Sequence, residues 1–363
     1  MGGETKNIDE IAGIISSRIF DELGWQCQKT TDISWGCCLK SHLSSKQLEA
    51  ENPNKTHPTD VVFKYRDPYS DVTQYIQTDL KSYCASTLDG TKRILNTVRS
   101  LSQQVACAPR SPEWRNLFVD NTNELYQVHG MLFIYNHDNE YDSDLINKLN
   151  GAATANYDFP EKSMLAIFDP VMIRFLLDVT EHIETRRAIS DKYSQIESLL
   201  WQKIPEIECC SFFYPDKHNK IAAKDRNLPA TIEMITSGML FYEYKHDYVR
   251  GDGGDKVESK VLNIFWKENV NSNSHFVFLL EYIFNYQLLN QFDKIFIITP
   301  FSTNSESYLQ SAINDYVGIY SFSQSHIDTL KNKIVSIPFA NQKLSIFEYQ
   351  VASKYITRVC HFS

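Results

Sequence analysis

Apolar residues at helical spacing open the chain. Ile8, Ile11, Ile15, Ile19 and Leu23 recur every three or four positions and Gly24 stands where a C-terminal cap belongs, which predicts a helix over 7–23. Residues 33–40 read as a strand, and the polar, proline-bounded stretch 53–58 as a loop. Two strand-like runs follow, 60–65 and 72–83, separated by the turn-rich residues 66–71. Ile94, Leu95, Val98, Leu101 and Val105 share one face of a helix predicted over 91–106. Residues 131–135 and 164–168 are compact apolar strands, with a short helix at 142–149 between them. The resulting order, α-β-β-β-α-β-α-β, predicts a mixed sheet with helices on its faces.

The second half repeats the theme. Residues 170–204 read as helical and polar on one side, a bridge between domains. Strands are expected at 231–235 and 239–245, then a glycine-rich loop at 250–255. A helix at 276–291, a strand at 294–299, a helix at 305–315 and a strand at 317–322 complete the pattern. This ββαβαβ order echoes the first half and suggests an old duplication. The fold class expected is α/β: a mixed-sheet core over 1–178, a helical bridge over 179–204 and a second α/β domain over 205–363.

Composition narrows the class. The chain has 363 residues, 42% hydrophobic and 22% charged, an ordinary globular balance at a length that suits two domains. The most apolar stretch, residues 276–284, contains Glu281 and falls far short of the ~20 residues a membrane span needs. No basic, apolar and small-residue succession marks a secretory signal, so a soluble cytoplasmic protein with no membrane partner is expected. A net charge of −9 argues against coating nucleic acid by bulk electrostatics, although one basic cleft or a bound cation would suffice for an enzyme. None of the eight cysteines is spaced as CxxC. Cys27, Cys37, Cys38 and His42 could meet around zinc, and buried free thiols are the simpler reading.

The chemistry concentrates in two segments, Pro58-Thr59-Asp60-Val61-Val62-Phe63 and Gln77-Thr78-Asp79-Leu80-Lys81-Ser82-Tyr83. Alternate side chains of a strand share a face, so Asp79 and Lys81 point one way and Leu80 the other. If the intervening turn closes symmetrically around Tyr69 and Ser70, residue i pairs with residue 139 − i. Asp60 then lies opposite Asp79, with Cβ atoms about 4.5–5.5 Å apart. A slip of one residue would part their faces. Two facing carboxylates repel unless a divalent cation lies between them, and Mg²⁺ (or Mn²⁺) accepts a few carboxylate oxygens plus waters and a phosphate. Lys81 on the same face could orient or activate an attacking water for phosphodiester hydrolysis.

These residues resemble the PD-(D/E)XK nucleases of restriction-endonuclease-like fold: a first-helix acid, an Asp opening one strand, and acid-x-Lys on its hairpin partner. The resemblance covers about the N-terminal half. It implies that Glu22 takes the helix-acid position, that Asp60 and Asp79 hold the metal with help from Glu22, and that Lys81 serves the nucleophilic water. Thr59 separates Pro58 from Asp60, so the proline–aspartate pair is not contiguous here. Acid-x-Lys triplets end at Lys6, Lys81, Lys245 and Lys260, and those at Lys81 and Lys245 fall in strand-like context. A lone triplet is more often an exposed strand face with a weak ion pair.

An alternative site combines Glu243 and Lys245 with Glu233 ten residues upstream. Lys92, Arg93 and Arg99 form the candidate phosphate-binding face of the 91–106 helix, with a solvated face as the bland reading. Gln103 and Gln104 on the same helix could touch a base or phosphate. The glycine-rich stretch 250–255 lacks the setting of a phosphate-binding loop and could contact substrate as a mobile segment. The reading favoured is a Mg²⁺-dependent deoxyribonuclease in prokaryotic antiphage defence or restriction, whose second domain recognises a trigger or docks a partner such as an ATPase or helicase, or a second copy. A non-catalytic interaction module on a decayed nuclease fold is the alternative.

Overall fold

Strand alternation and one polar turn organise the first half of the molecule. The computed structural model describes residues 2–49, 55–70, 72–121, 123–152, 157, 160–200, 207–217, 227–249, 256–300, 304–320 and 323–339. Helix α1 (Gly2–Glu22) ends at Gly24, whose φ of 82° lies in the left-handed region that glycine tolerates. Strand β1 (Gln26–Cys27) follows, then a side ribbon of β2 (Ile33–Gly36) and β3 (Thr56–Thr59), with a 3-10 turn (Lys40–His42) and helix α2 (Ser45–Leu48) between. The 53–58 loop expected from its prolines is therefore in part a strand. Pro58 fits because its ribbon stands outside the main sheet.

Strands β4 (Val61–Arg66) and β5 (Thr73–Tyr83) form the hairpin at the centre. Their ladder runs from Val61 opposite Thr78 to Arg66 opposite Thr73, the register that a turn centred on Tyr69 and Ser70 dictates. The Asp67 carboxylate closes that turn by accepting the Tyr69 and Ser70 N–H groups at 2.7 and 3.2 Å. After helices α3 (Ala85–Leu88), α4 (Thr91–Cys107) and α5 (Pro112–Phe118) comes β6 (Tyr126–Asn136), longer at both ends than its apolar core predicts. Helix α6 (Leu145–Ala152) starts three residues later than expected because Asp144 caps it, accepting the Asn147 N–H at 2.9 Å. Strand β7 (Leu165–Phe168) completes a sheet of order β1-β4-β5-β6-β7, antiparallel across the first three strands and parallel across the last three.

The two faces of this sheet are distinct. Phe20 of α1 packs its ring against Phe63, Phe133 and Phe168, and a Cβ on Gly13 would meet Leu80 at 3.9 Å. On the opposite face Tyr75 clusters with Cys107 and Trp114, and Tyr83 with Ile94, Val98 and Leu101. Even positions of β5 therefore face α1 and odd positions face α4. Gly130 allows the close approach of α4, since a Cβ there would run into Leu165, Val105 and Leu101.

Helix α7 (Pro170–Leu200) agrees with the expected helical run, and the chain divides into two compact units within it, between Leu176 and Leu177. The second unit holds β8 (Ile207–Phe212), α8 (Ile232–Ser237), β9 (Met239–Val249), β10 (Lys256–Trp266), α9 (Asn273–Asn285), α10 (Leu288–Gln291), β11 (Lys294–Thr299), α11 (Ser305–Tyr320), α12 (Gln324–Lys333) and β12 (Ile334–Pro338). Three expectations fail here for local reasons. Residues 231–235 form a helix rather than a strand, because Thr231 caps it by accepting the Met234 N–H and Gly238 ends it at φ 71°. The expected 276–291 helix breaks at Gln287, which adopts φ 54°. Residues 317–320 extend α11, since Tyr316 and Val317 continue the buried stripe of Leu309, Ala312 and Ile313, and the strand comes later at β12. The stretch 250–255 lies outside the described residues.

Strand β10 is the main addition. Its charged start hides the run Val261–Trp266, apolar but for Asn263 and buried throughout. The second sheet has the order β12-β11-β10-β9-β8, antiparallel across β8, β9 and β10 and parallel across β10, β11 and β12. Strand order and directions thus match those of the first sheet.

Candidate active site

Asp60 sits at the bend between β3 and β4, one residue beyond the last hairpin rung. Its backbone carbonyl accepts the Asp32 N–H at 2.9 Å, and its Oδ2 accepts the Leu80 N–H at 2.7 Å. A side chain thus replaces the next ladder bond and draws the carboxylate onto β5. Asp79 and Lys81 occupy odd positions of β5, on the face covered by α4. Lys81 Nζ forms an ion pair with Asp79 and lies 3.6 Å from Asp60 Oδ2. The sequence-derived trio of Asp60, Asp79 and Lys81 is therefore one cluster.

Its electrostatics follow from burial. Asp79 is only 9% exposed. Burial pushes its carboxyl up to about 6 against the pull of Lys81, and Asp60 adds to the rise. Burial also works against the Lys81 ammonium, but Asp79 and Asp60 outweigh it and hold its pKa above the ordinary lysine value. Lys81 is a fixed cation between two carboxylates.

An open groove of about 640 Å³ leads from Asp79 and Lys81 along α4, past Thr87, Lys92, Arg93 and Thr97. Arg93 is steadied by the Tyr83 ring, with its guanidinium carbon 5.0 Å from the ring centroid. Arg99 is exposed on α4 but does not line this groove. Thr87 of α3 and Asn96, Thr97 and Ser100 of α4 add polar lining that the sequence did not single out; the signal for the last three was the polar side of the α4 periodicity.

Other expected site residues stand elsewhere. Glu22 lies nine residues beyond Gly13 on α1, about 13 Å along the axis, and α1 covers the Leu80 face of the sheet, opposite Asp79 and Lys81. The structure does not bring Glu22 to the cluster. Gln103 and Gln104 are structural: Gln103 accepts from Lys55 Nζ at 2.7 Å, and buried Gln104 accepts from Gln77 at 2.9 Å. The second triplet also lacks its frame. Glu233 is exposed in the first turn of α8, so no strand pairs it with Glu243. Glu243 and Lys245 lie on β9, the counterpart of β4 rather than of β5. Lys260 proves to be in a strand as well, opposite Lys245 near the start of β10.

Residues 1–172 match the family model of the PD-(D/E)XK nuclease domain of the GAPS4 protein. The N-terminal half is a PD-(D/E)XK nuclease domain. No curated protein and no solved structure matches the chain significantly. The matched region includes the acid-x-Lys triplet Asp79-Leu80-Lys81 on β5, with Asp60 just before β4, across the hairpin from it. No described helix is long and apolar enough to cross a membrane.

Proposed function

We propose that the nuclease domain hydrolyses DNA phosphodiester bonds with Mg²⁺ or Mn²⁺ held by Asp60 and Asp79. The observation that carries this reading is the Asp60–Lys81–Asp79 contact at the end of a groove that continues onto Lys92 and Arg93. The donors suit the ion: two carboxylates offer hard oxygen ligands, and the open groove leaves room for waters and a phosphate. A bound cation supplies the charge that offsets the paired carboxylates and polarises the phosphate.

The chain's own residues supply the rest. Lys81, whose pKa Asp79 and Asp60 hold above the ordinary lysine value, orients the attacking water and steadies charge developing on the phosphate. Asp60 is fixed by the Leu80 N–H, so one carboxylate keeps its place whatever Asp79 does. Lys92 and Arg93 receive flanking phosphates and position the strand. Attack by water needs no covalent enzyme intermediate.

The second unit is read as a degenerate copy that regulates, recognises a trigger or docks a partner. Aligning the last hairpin rungs, Val61–Thr78 with Met239–Trp266, puts Gly238, Lys267 and Asn269 where Asp60, Asp79 and Lys81 stand. The topology is kept and the acids are gone. Antiphage defence in the cytoplasm is the proposed setting, supported by the family match, with an ATPase or helicase subunit or a second copy as candidate partner. The test is cleavage of linear, circular and single-stranded DNA beside an RNA control, in Mg²⁺, Mn²⁺ and chelator. Cation-dependent cutting of DNA supports the reading; cutting of RNA alone would reassign the substrate.

A further inference from the structure

A second group of metal-ligating side chains lies apart from the carboxylates. One ligand atom each of Cys37, His42, His57 and Cys107 falls within a single cluster, all within 4.8 Å of one another. Cys37 follows β2, His42 ends the 3-10 turn, His57 is in β3, and Cys107 ends α4. The chain thus converges on this point from four separate elements. We propose that these four residues bind a structural zinc ion that fastens the β2–β3 ribbon to the C-terminal end of α4.

Distances carry the assignment. Tetrahedral zinc with Zn–S near 2.3 Å and Zn–N near 2.0–2.1 Å sets ligand–ligand edges of about 3.8 Å for S–S and about 3.5 Å for S–N. Cys37 Sγ lies 3.9 Å from Cys107 Sγ and 3.5 Å from His42 Nδ1. The His42 and His57 rings meet edge to face with centroids 5.6 Å apart. Four ligand atoms this close enclose one ion, and two thiolates with two imidazoles are a donor set for zinc.

Independent features point to a missing partner. His57 is 1% exposed, and its Nε2 makes no hydrogen bond, an arrangement that costs free energy unless something fills the position. The Cys38 backbone N–H donates to Cys107 Sγ at 3.1 Å, and Lys55 Nζ donates to the His42 carbonyl at 2.7 Å. Both contacts brace ligands from outside the cluster. The cysteine and histidine set expected from sequence is thereby corrected: Cys27 is exposed on β1, and His57 and Cys107 take the places given to Cys27 and Cys38. Cys38 remains beside the cluster, its Sγ 3.2 Å from that of Cys107.

The position gives the ion a task. His57 is three residues before Asp60, and Cys107 terminates the helix whose other end lines the groove. Fastening them fixes the segment that delivers Asp60.

The experiment is metal analysis of the full-length protein purified under reducing, anaerobic conditions, followed by chelation and titration with Co²⁺. One zinc per chain is expected, lost in Cys107→Ser and in His57→Ala and retained in Asp79→Asn. Cobalt should give the intense visible absorption of a tetrahedral thiolate site in the wild type, which tests the site even if the variants fold poorly. A folded wild type with neither stoichiometric zinc nor that absorption overturns the proposal. So does a Cys38–Cys107 disulfide in the anaerobic protein, or zinc that survives both ligand substitutions.

Discussion

Asp60 accepts the backbone N–H of Leu80 at 2.7 Å, just past the point where the β4–β5 ladder ends. The carboxylate therefore does two things at once: it closes the hairpin and presents a charge beside Lys81. The two roles separate by substitution. Asp60→Asn keeps an acceptor and should leave stability within about 0.5 kcal/mol, whereas Asp60→Ala should cost about 1–2 kcal/mol in urea unfolding. Both should bind Mn²⁺ more weakly than the wild type in a calorimetric titration. Equal stability of the two variants would show that the Leu80 contact contributes nothing.

The raised pKa of Asp79 makes a pH prediction. The folded protein holds this proton up to about 6, whereas the unfolded chain releases it at an ordinary carboxylate value. A carboxylate shifted upward is stabilising in its neutral form, so its contribution is present at low pH and is lost as pH rises towards and past 6. Without metal, Asp79→Asn should match the wild type near pH 4 and exceed its stability at pH 7 by roughly 2–3 kcal/mol. Cation binding should move oppositely, weakening as pH falls through 6. Unfolding midpoints of both proteins across this range check the sign.

Lys92 and Arg93 line the groove and Arg99 does not. Replacing Lys92 and Arg93 together by alanine should remove about two phosphate contacts and flatten the slope of log K against log[salt] by about 1.8. Arg99→Ala should leave that slope near the wild-type value. Binding of catalytically silent protein to duplex DNA at several salt concentrations distinguishes them.

Gln77 supports the site from beneath. Its amide donates to Thr59 Oγ1 at 2.7 Å and to Gln104 at 2.9 Å, and its carbonyl accepts from Trp114 Nε1 at 3.0 Å. Trp35 Nε1 also donates to Thr59, at 2.8 Å. Gln77→Leu strands buried polar groups on α4 and α5, and should cost about 2–4 kcal/mol in chemical denaturation. A cost below 0.5 kcal/mol would mean that water replaces the amide (about the scale of a neutral surface change).

What the sequence made legible was what local chemistry decides. The register of β4 and β5 followed from a turn whose Asp67 can cap it, and with the register came the meeting of Asp60 with Asp79 and Lys81. What stayed hidden depended on distant partners. Thr231 to Ile235 carries β-branched residues that suit a strand, yet a threonine cap and Gly238 make it helical. The charged residues opening β10 masked a strand whose pairing with β9 and β11 settles it. Glu22 looked like the helix acid because order along the chain does not reveal which face of the sheet α1 covers. Gln103 and Gln104 read as candidate base or phosphate contacts, and their partners Lys55 and Gln77 lie far away in sequence. His57 and Cys107 are fifty residues apart, and no spacing rule joins them.

The central claim is that the Asp60–Asp79–Lys81 cluster cuts phosphodiester bonds. The most direct measurement is cleavage of duplex DNA in Mg²⁺ and Mn²⁺ by wild type, Asp79→Asn, Lys81→Ala and Lys245→Ala, each verified as folded. Asp79→Asn and Lys81→Ala should lose about 10²-fold or more of the rate, and Lys245→Ala should cut like the wild type. Cutting that survives the first two changes and fails with Lys245→Ala would contradict the claim and move the site to the second unit.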